Sequence, residues 1–155
     1  MVSSLNNFFH QSGHIIFGLP YEYMGKGEFT TFMLYAGGPF FELFIPLIVV
    51  LHLIFSRLFF AGSAVLFWFA FSLYTMSIYI ADAIKMEREL VGIELDRGHD
   101  WNKLFTQFDI LDYTNQIASS VHATAIILFW TSVAICLALY CFYLFVGLKN
   151  RYFYK

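Results

Sequence analysis

Charge is scarce in this chain. Lys and Arg number 9, Asp and Glu 11, so only 13 % of 155 residues are charged and the formal net charge is −2. The basic residues form no block, which excludes the electrostatic footprint of a nucleic-acid binder. Cysteine is nearly absent. Cys136 and Cys141 fall in one apolar run and face different sides of a helix, so neither a disulfide nor a metal pair is expected of them. No segment repeats at the 20–50-residue periods of solenoids or propellers. The first residues lack a basic n-region and an Ala-x-Ala-like cleavage site, so they read as mature helix rather than signal peptide.

Apolar surface, by contrast, is abundant: 59 % of residues are hydrophobic, 21 % are aromatic, and the mean hydropathy is +0.66. A soluble domain of this length buries only about 70 % of the surface its unfolded chain exposes. That leaves too much apolar area for water, so lipid must be the solvent. The expected fold is an all-α integral membrane protein, a single transmembrane domain over 1–155 with about four spanning helices near 3–19, 39–55, 58–84 and 116–146. Pro20 closes the first helix and Pro39 opens the second, since proline suits a first helical turn. Gly37 and Gly38 then supply the preceding turn, and residues 20–38 are expected as a loop or re-entrant segment. Such backbone survives at membrane depth only beside protein or a water cavity. The polar connector 85–115 contains apolar residues at 101, 104, 105 and 108, the spacing of an interfacial amphipathic helix.

Alternating these spans up and down brings the polar groups together. His10 and His14, Glu42, Asp82 and His122 all count inward from one side of the membrane, where the connector also places His99 and Asp100. His52 alone falls towards the other face. Ionisable groups within spanning helices cost about 2.5 kcal/mol or more unless paired or hydrated, so their convergence points to function. The most specific piece is "HQSGH", residues 10–14. Residues i and i+4 share a helix face, so two imidazoles can reach one zinc ion. Zinc-hydrolase helices carry Glu directly after the first His, to take a proton from the attacking water. Here that residue is Gln11, whose amide cannot accept a proton. Asp82 is the expected third, oxygen ligand. The alternative is that the histidines merely hydrogen-bond neighbouring helices.

The segments "HQSGH", "GGPFFELFIP", "YIADA" and "GHDWNKLF", in that order, resemble small bacterial membrane proteins related to the site-2-protease class of zinc metallopeptidases. The resemblance covers roughly residues 5–112, and the last helix carries no signature. It implies zinc held by His10, His14 and Asp82, a turn at Gly37 and Gly38 lining the site, and a site-proximal place for His99, Asp100 and Trp101. It also implies the bacterial inner membrane. Two positions depart from the family pattern: Gln11 stands where Glu is usual, and Glu42 where Gln is usual.

These features leave three functional readings. The first is a pseudoprotease that keeps the zinc site for binding or assembly with a membrane-embedded protein. The second is an accessory subunit of a larger membrane complex, without metal, whose many Phe and Tyr side chains face lipid or partner helices, with a small-residue stripe at Ser119 and Ala123. The third is an active intramembrane metalloprotease in which Glu42 substitutes as base. A transporter is disfavoured by the lack of an inverted repeat. Orientation rests on Arg57, Lys149, Arg151 and Lys155 against Lys26, Lys85, Arg88, Arg97 and Lys103, a near-even split. The clustering at the end of the chain leans towards a cytoplasmic C-terminus.

Overall fold

The computed structural model describes residues 2–87 and 99–153, all helix and turn. Five α-helices follow one another: α1 (Val2–Met24), α2 (Glu28–Phe55), α3 (Phe59–Ala81), α4 (Asp100–Gln107) and α5 (Thr114–Phe153), with a short 3-10 turn at Leu111–Tyr113. Arg88, Arg97 and Lys155, which enter the orientation count, lie outside the described residues. Among the described residues, three stretches are long and apolar enough to cross a membrane: Glu28–Phe55, Phe59–Ala81 and Leu111–Gly147. With its polar residues Asn6, Asn7, His10, Gln11 and His14, α1 is not among them.

The expected break over 20–38 shrinks to a turn at residues 25–27. Pro20 lies inside α1, which runs on to Met24, and Pro39 and Pro46 lie inside α2. The chain turns instead at Gly25–Gly27, where Gly25 takes a φ of +85° that only glycine adopts freely. Thr30 Oγ1 then accepts the Gly27 N–H at 2.9 Å and donates to Gly25 O at 2.8 Å, starting α2. Apolar surroundings give an unpaired backbone group no water to turn to, so a helix is strongly favoured even across a proline. Gly37 and Gly38 serve close approach rather than a turn. A Cβ on Gly13 would collide with the backbone oxygen of Gly37, and one on Gly37 would come within 2.7 Å of the Gly13 oxygen. The α1 and α2 backbones therefore cross in contact.

From that crossing the helices line up as a row: α1 on α2, α2 on α3, α3 on α5. Between α2 and α3 the turn at Ser56–Leu58 returns the chain with Leu58 N donating to Leu53 O and Arg57 N to Ile54 O. The short α4 is the expected amphipathic helix, and it is packed into the bundle. Leu104 and Phe105 join Tyr35, Met76, Ile80, Ala83 and Ala118 in the buried core, so α2, α3 and α5 all contribute to its seat. Docking places the first residue of α4, Asp100, against the mid-section of α1.

Candidate metal centre

Along α1, Asn6, His10 and His14 recur every four residues and so share one face. That face is pressed on α2 at Gly38, where an added Cβ would strike Nε2 of both imidazoles. The two rings occupy the space a side chain would have taken. Their Nε2 atoms stand 3.1 Å apart. Oδ2 of Asp100 completes a triangle, 3.1 Å from His10 Nε2 and 3.3 Å from His14 Nε2.

The tautomers follow from the remaining ring nitrogens. His14 Nδ1 is 2.8 Å from Leu34 O, and a carbonyl can only accept, so Nδ1 carries the proton. Its Nε2 therefore presents a lone pair. His10 Nδ1 faces Glu42 Oε2 at 3.0 Å, the arrangement in which a carboxylate orients a metal-ligating imidazole. With both Nε2 atoms unprotonated, three electron-pair donors converge on one point, and either a cation between them or a proton on His10 Nε2 offsets their repulsion. Donor atoms 2.0–2.1 Å from a tetrahedral zinc ion stand roughly 3.3–3.4 Å apart. The observed sides of 3.1–3.3 Å lie at or a little inside that spacing, and two imidazoles with one carboxylate are a zinc donor set that leaves a fourth position open.

The third ligand differs from the sequence expectation. Asp100, expected only near the site, joins the imidazoles, whereas Asp82 sits beyond the end of α3 among other partners. Asp82 Oδ1 accepts the Glu87 N–H at 3.1 Å, and Oδ2 lies 3.4 Å from His99 Nε2. That last contact has ion-pair distance without hydrogen-bond alignment, so His99 Nε2 has no hydrogen bond among the described residues. His99 caps α4 instead, its Nδ1 accepting the Asn102 N–H at 3.3 Å. Burial pushes the His99 pKa below its ordinary value despite the opposing charges of Asp82 and Asp100, so the ring stays neutral and fit to accept. Burial would raise the Asp100 carboxyl. Where the imidazoles carry protons towards it, the hydrogen bonds and charges of His10 and His14 outweigh burial and hold the group below the usual carboxylate range.

Several supporting groups had no place in the sequence expectation. The Tyr79 hydroxyl donates to Asp100 Oδ2 at 3.1 Å and accepts the Asp100 N–H at 3.2 Å, fixing the carboxylate from α3. Asn102 Nδ2 donates to Ala83 O at 2.8 Å, and the Trp101 indole meets Met76 Sδ at 3.2 Å. Asn6 binds Glu42 Oε1 at 3.2 Å. The four-residue spacing of Asn6 to His10 was a legible signal. Tyr79 and Asn102 had none, because their partners are set by how α4 folds back. Gln11 follows His10 on α1 and is half-buried. His122 stands on the α3–α5 seam, 3.3 Å from Ser77 Oγ and with its ring 5.3 Å from that of Tyr74, and it does not join the triangle.

No protein-family model, curated protein or solved structure matches the chain.

Proposed function

We propose that this protein is a membrane-embedded zinc protein of site-2-protease-like type, with its catalytic step impaired and a role in binding or assembly within the bilayer. The observation that carries the reading is the triangle of His10 Nε2, His14 Nε2 and Asp100 Oδ2, with sides of 3.1–3.3 Å. Zinc held there would supply Lewis acidity able to polarise a carbonyl oxygen. His10 and His14 would hold it from α1 and Asp100 from α4, while Gly38 leaves room for the rings. Gln11 stands at the base position, and its carboxamide takes up no proton. Glu42 is the other base considered. Its Oε1 is bonded to Asn6 and its Oε2 to the Nδ1 edge of His10, away from the triangle, so the contacts favour a holding role. The motif resemblance extends the proposal to the bacterial inner membrane and to a membrane-embedded protein as partner.

The same contacts support one other reading. A proton on His10, flanked by Glu42 and Asp100, would fasten α1, α2 and α4 without metal, as suits an accessory subunit of a larger complex. Metal analysis of detergent-purified protein separates the two. About one equivalent of zinc is expected in the wild type and in His52→Ala, and none in His14→Ala or Asp100→Asn. Asp82→Asn is expected to keep its zinc. A metal-free wild type, with stability unaffected by added zinc, overturns the zinc reading in favour of the fastening one. Impairment is tested separately: Gln11→Glu is expected to raise hydrolysis of a membrane-embedded peptide above the wild-type level, and no rise contradicts a lesion confined to the base.

A further inference from the structure

We infer that Trp68, Asn6 and Glu42 form a directional hydrogen-bond chain that fixes which nitrogen His10 presents to the metal. The inference rests on the zinc reading above. Its direction starts at α3, because an indole N–H can donate and never accept. Trp68 Nε1 donates to Asn6 Oδ1 at 2.8 Å, which fixes the amide orientation. Asn6 Nδ2 is thereby turned to Glu42 Oε1 at 3.2 Å and to Ser72 Oγ at 3.0 Å. Ser72 Oγ also lies 3.2 Å from Asn6 Oδ1, and its hydroxyl can rotate to suit either neighbour. It therefore ties Asn6 to α3 without reversing the amide.

Glu42 Oε1 accepts from Asn6, and this bond turns the second carboxylate oxygen, Oε2, on His10. Oε2 stands 3.0 Å from His10 Nδ1, so a proton held on Nδ1 leaves the Nε2 lone pair for the ion. Asn6 is 4 % exposed, Glu42 9 % and Ser72 0 %, so water has little access to the chain and cannot easily replace its members. The two histidines are thus held differently. His14 is set by the backbone carbonyl of Leu34, which no side-chain substitution removes, whereas His10 is set by side chains from three helices. Metal affinity is therefore tunable through His10. Trp68, Asn6 and Glu42 are positioning residues that need not touch the ion.

Zinc affinity measured by chelator competition tests this. Removing an outer partner of a metal-ligating imidazole typically weakens binding ten- to hundred-fold. Glu42→Gln is expected to show that loss, and Asn6→Leu and Trp68→Phe smaller losses in the same direction. The double variant Asn6→Leu/Glu42→Gln should bind no more weakly than Glu42→Gln alone, because Asn6 acts only through Glu42. Ser63→Ala, which removes a buried hydroxyl elsewhere in α3, should leave the affinity unchanged. Additive losses in the double variant, or wild-type affinity in Glu42→Gln, overturn the chain while leaving the zinc site standing. A wild type that takes up no zinc instead overturns the site reading itself. Should the variants not fold, nitrogen NMR of zinc-loaded wild-type protein decides: the proton is expected on His10 Nδ1, and a metal-bound Nδ1 refutes the chain.

Discussion

At the scale of residues, the pair His10 and His14 was legible because helical spacing alone brings i and i+4 together. Their partner was not. Asp82 follows the end of α3 and Asp100 opens α4, and both finish near the site. Counting depth along spans cannot tell which carboxylate turns inward. The decision belongs to α4: His99 caps it and faces Asp82, which leaves the next residue, Asp100, directed at α1. Gly38 was legible as a residue lining the site, although for a different reason than a turn. Its missing Cβ is the space that the imidazoles fill. Gly38→Ala is therefore expected to abolish stoichiometric zinc binding, because the methyl group meets both Nε2 atoms. Gly18→Ala should retain the metal, since its Cβ meets only the flexible end of Leu34 at 3.0 Å. Equal zinc content in the two variants, measured on purified protein, would contradict the packing described here.

At the scale of elements, the sequence misleads wherever a local breaker is overridden by its surroundings. Gly37-Gly38-Pro39 has the composition of a turn, yet it lies within α2 because α1 needs the bare backbone there and apolar surroundings favour unbroken helix. Conversely, two helices end where no glycine marks the end. Arg57 (φ 59°) and Asp109 (φ 56°) take the left-handed conformation that terminates α2 and α4, each followed by a bond back to the last turn, Leu58 N to Leu53 O and Ile110 N to Phe105 O. A side chain in that region costs about 1 kcal/mol. Arg57→Gly should therefore stabilise the protein by about 0.5–1 kcal/mol in reversible detergent unfolding, and destabilisation would show that Arg57 makes a compensating contact. The seat of α4 is testable in the same way. Asn102→Ala removes the bond to Ala83 O, worth about 1 kcal/mol. Weaker zinc binding with the bundle still folded is the expected outcome, and unchanged affinity would mean that α4 does not depend on this tie to deliver Asp100.

For the whole molecule, composition was decisive for the class and silent on the arrangement. The apolar fraction demands a membrane, and among the described residues three helices are long and apolar enough to cross one. Which helices share a seam depends on bare backbone at residues such as Gly13 and on polar contacts between distant segments, which no periodicity announces. If α2, α3 and α5 cross in alternation, the Arg57 turn and the α4 segment emerge on opposite sides. With Cys136 and Cys141 replaced by Ala, a cysteine at position 57 and one at position 103 should then react with an impermeant reagent from opposite faces of the membrane, and labelling from one face would refute three crossings.

The converging imidazoles and carboxylate are the feature on which the functional reading stands. X-ray absorption at the zinc edge of the purified, zinc-loaded wild type addresses them directly. The expected spectrum has a first shell of nitrogen and oxygen at about 2.0–2.1 Å with the outer scattering of two imidazoles, unchanged in Asp82→Asn, whereas Asp100→Asn is expected to retain no zinc. A shell containing sulfur, an all-oxygen shell without imidazole, or wild-type protein that retains no zinc would contradict a metal held by His10, His14 and Asp100.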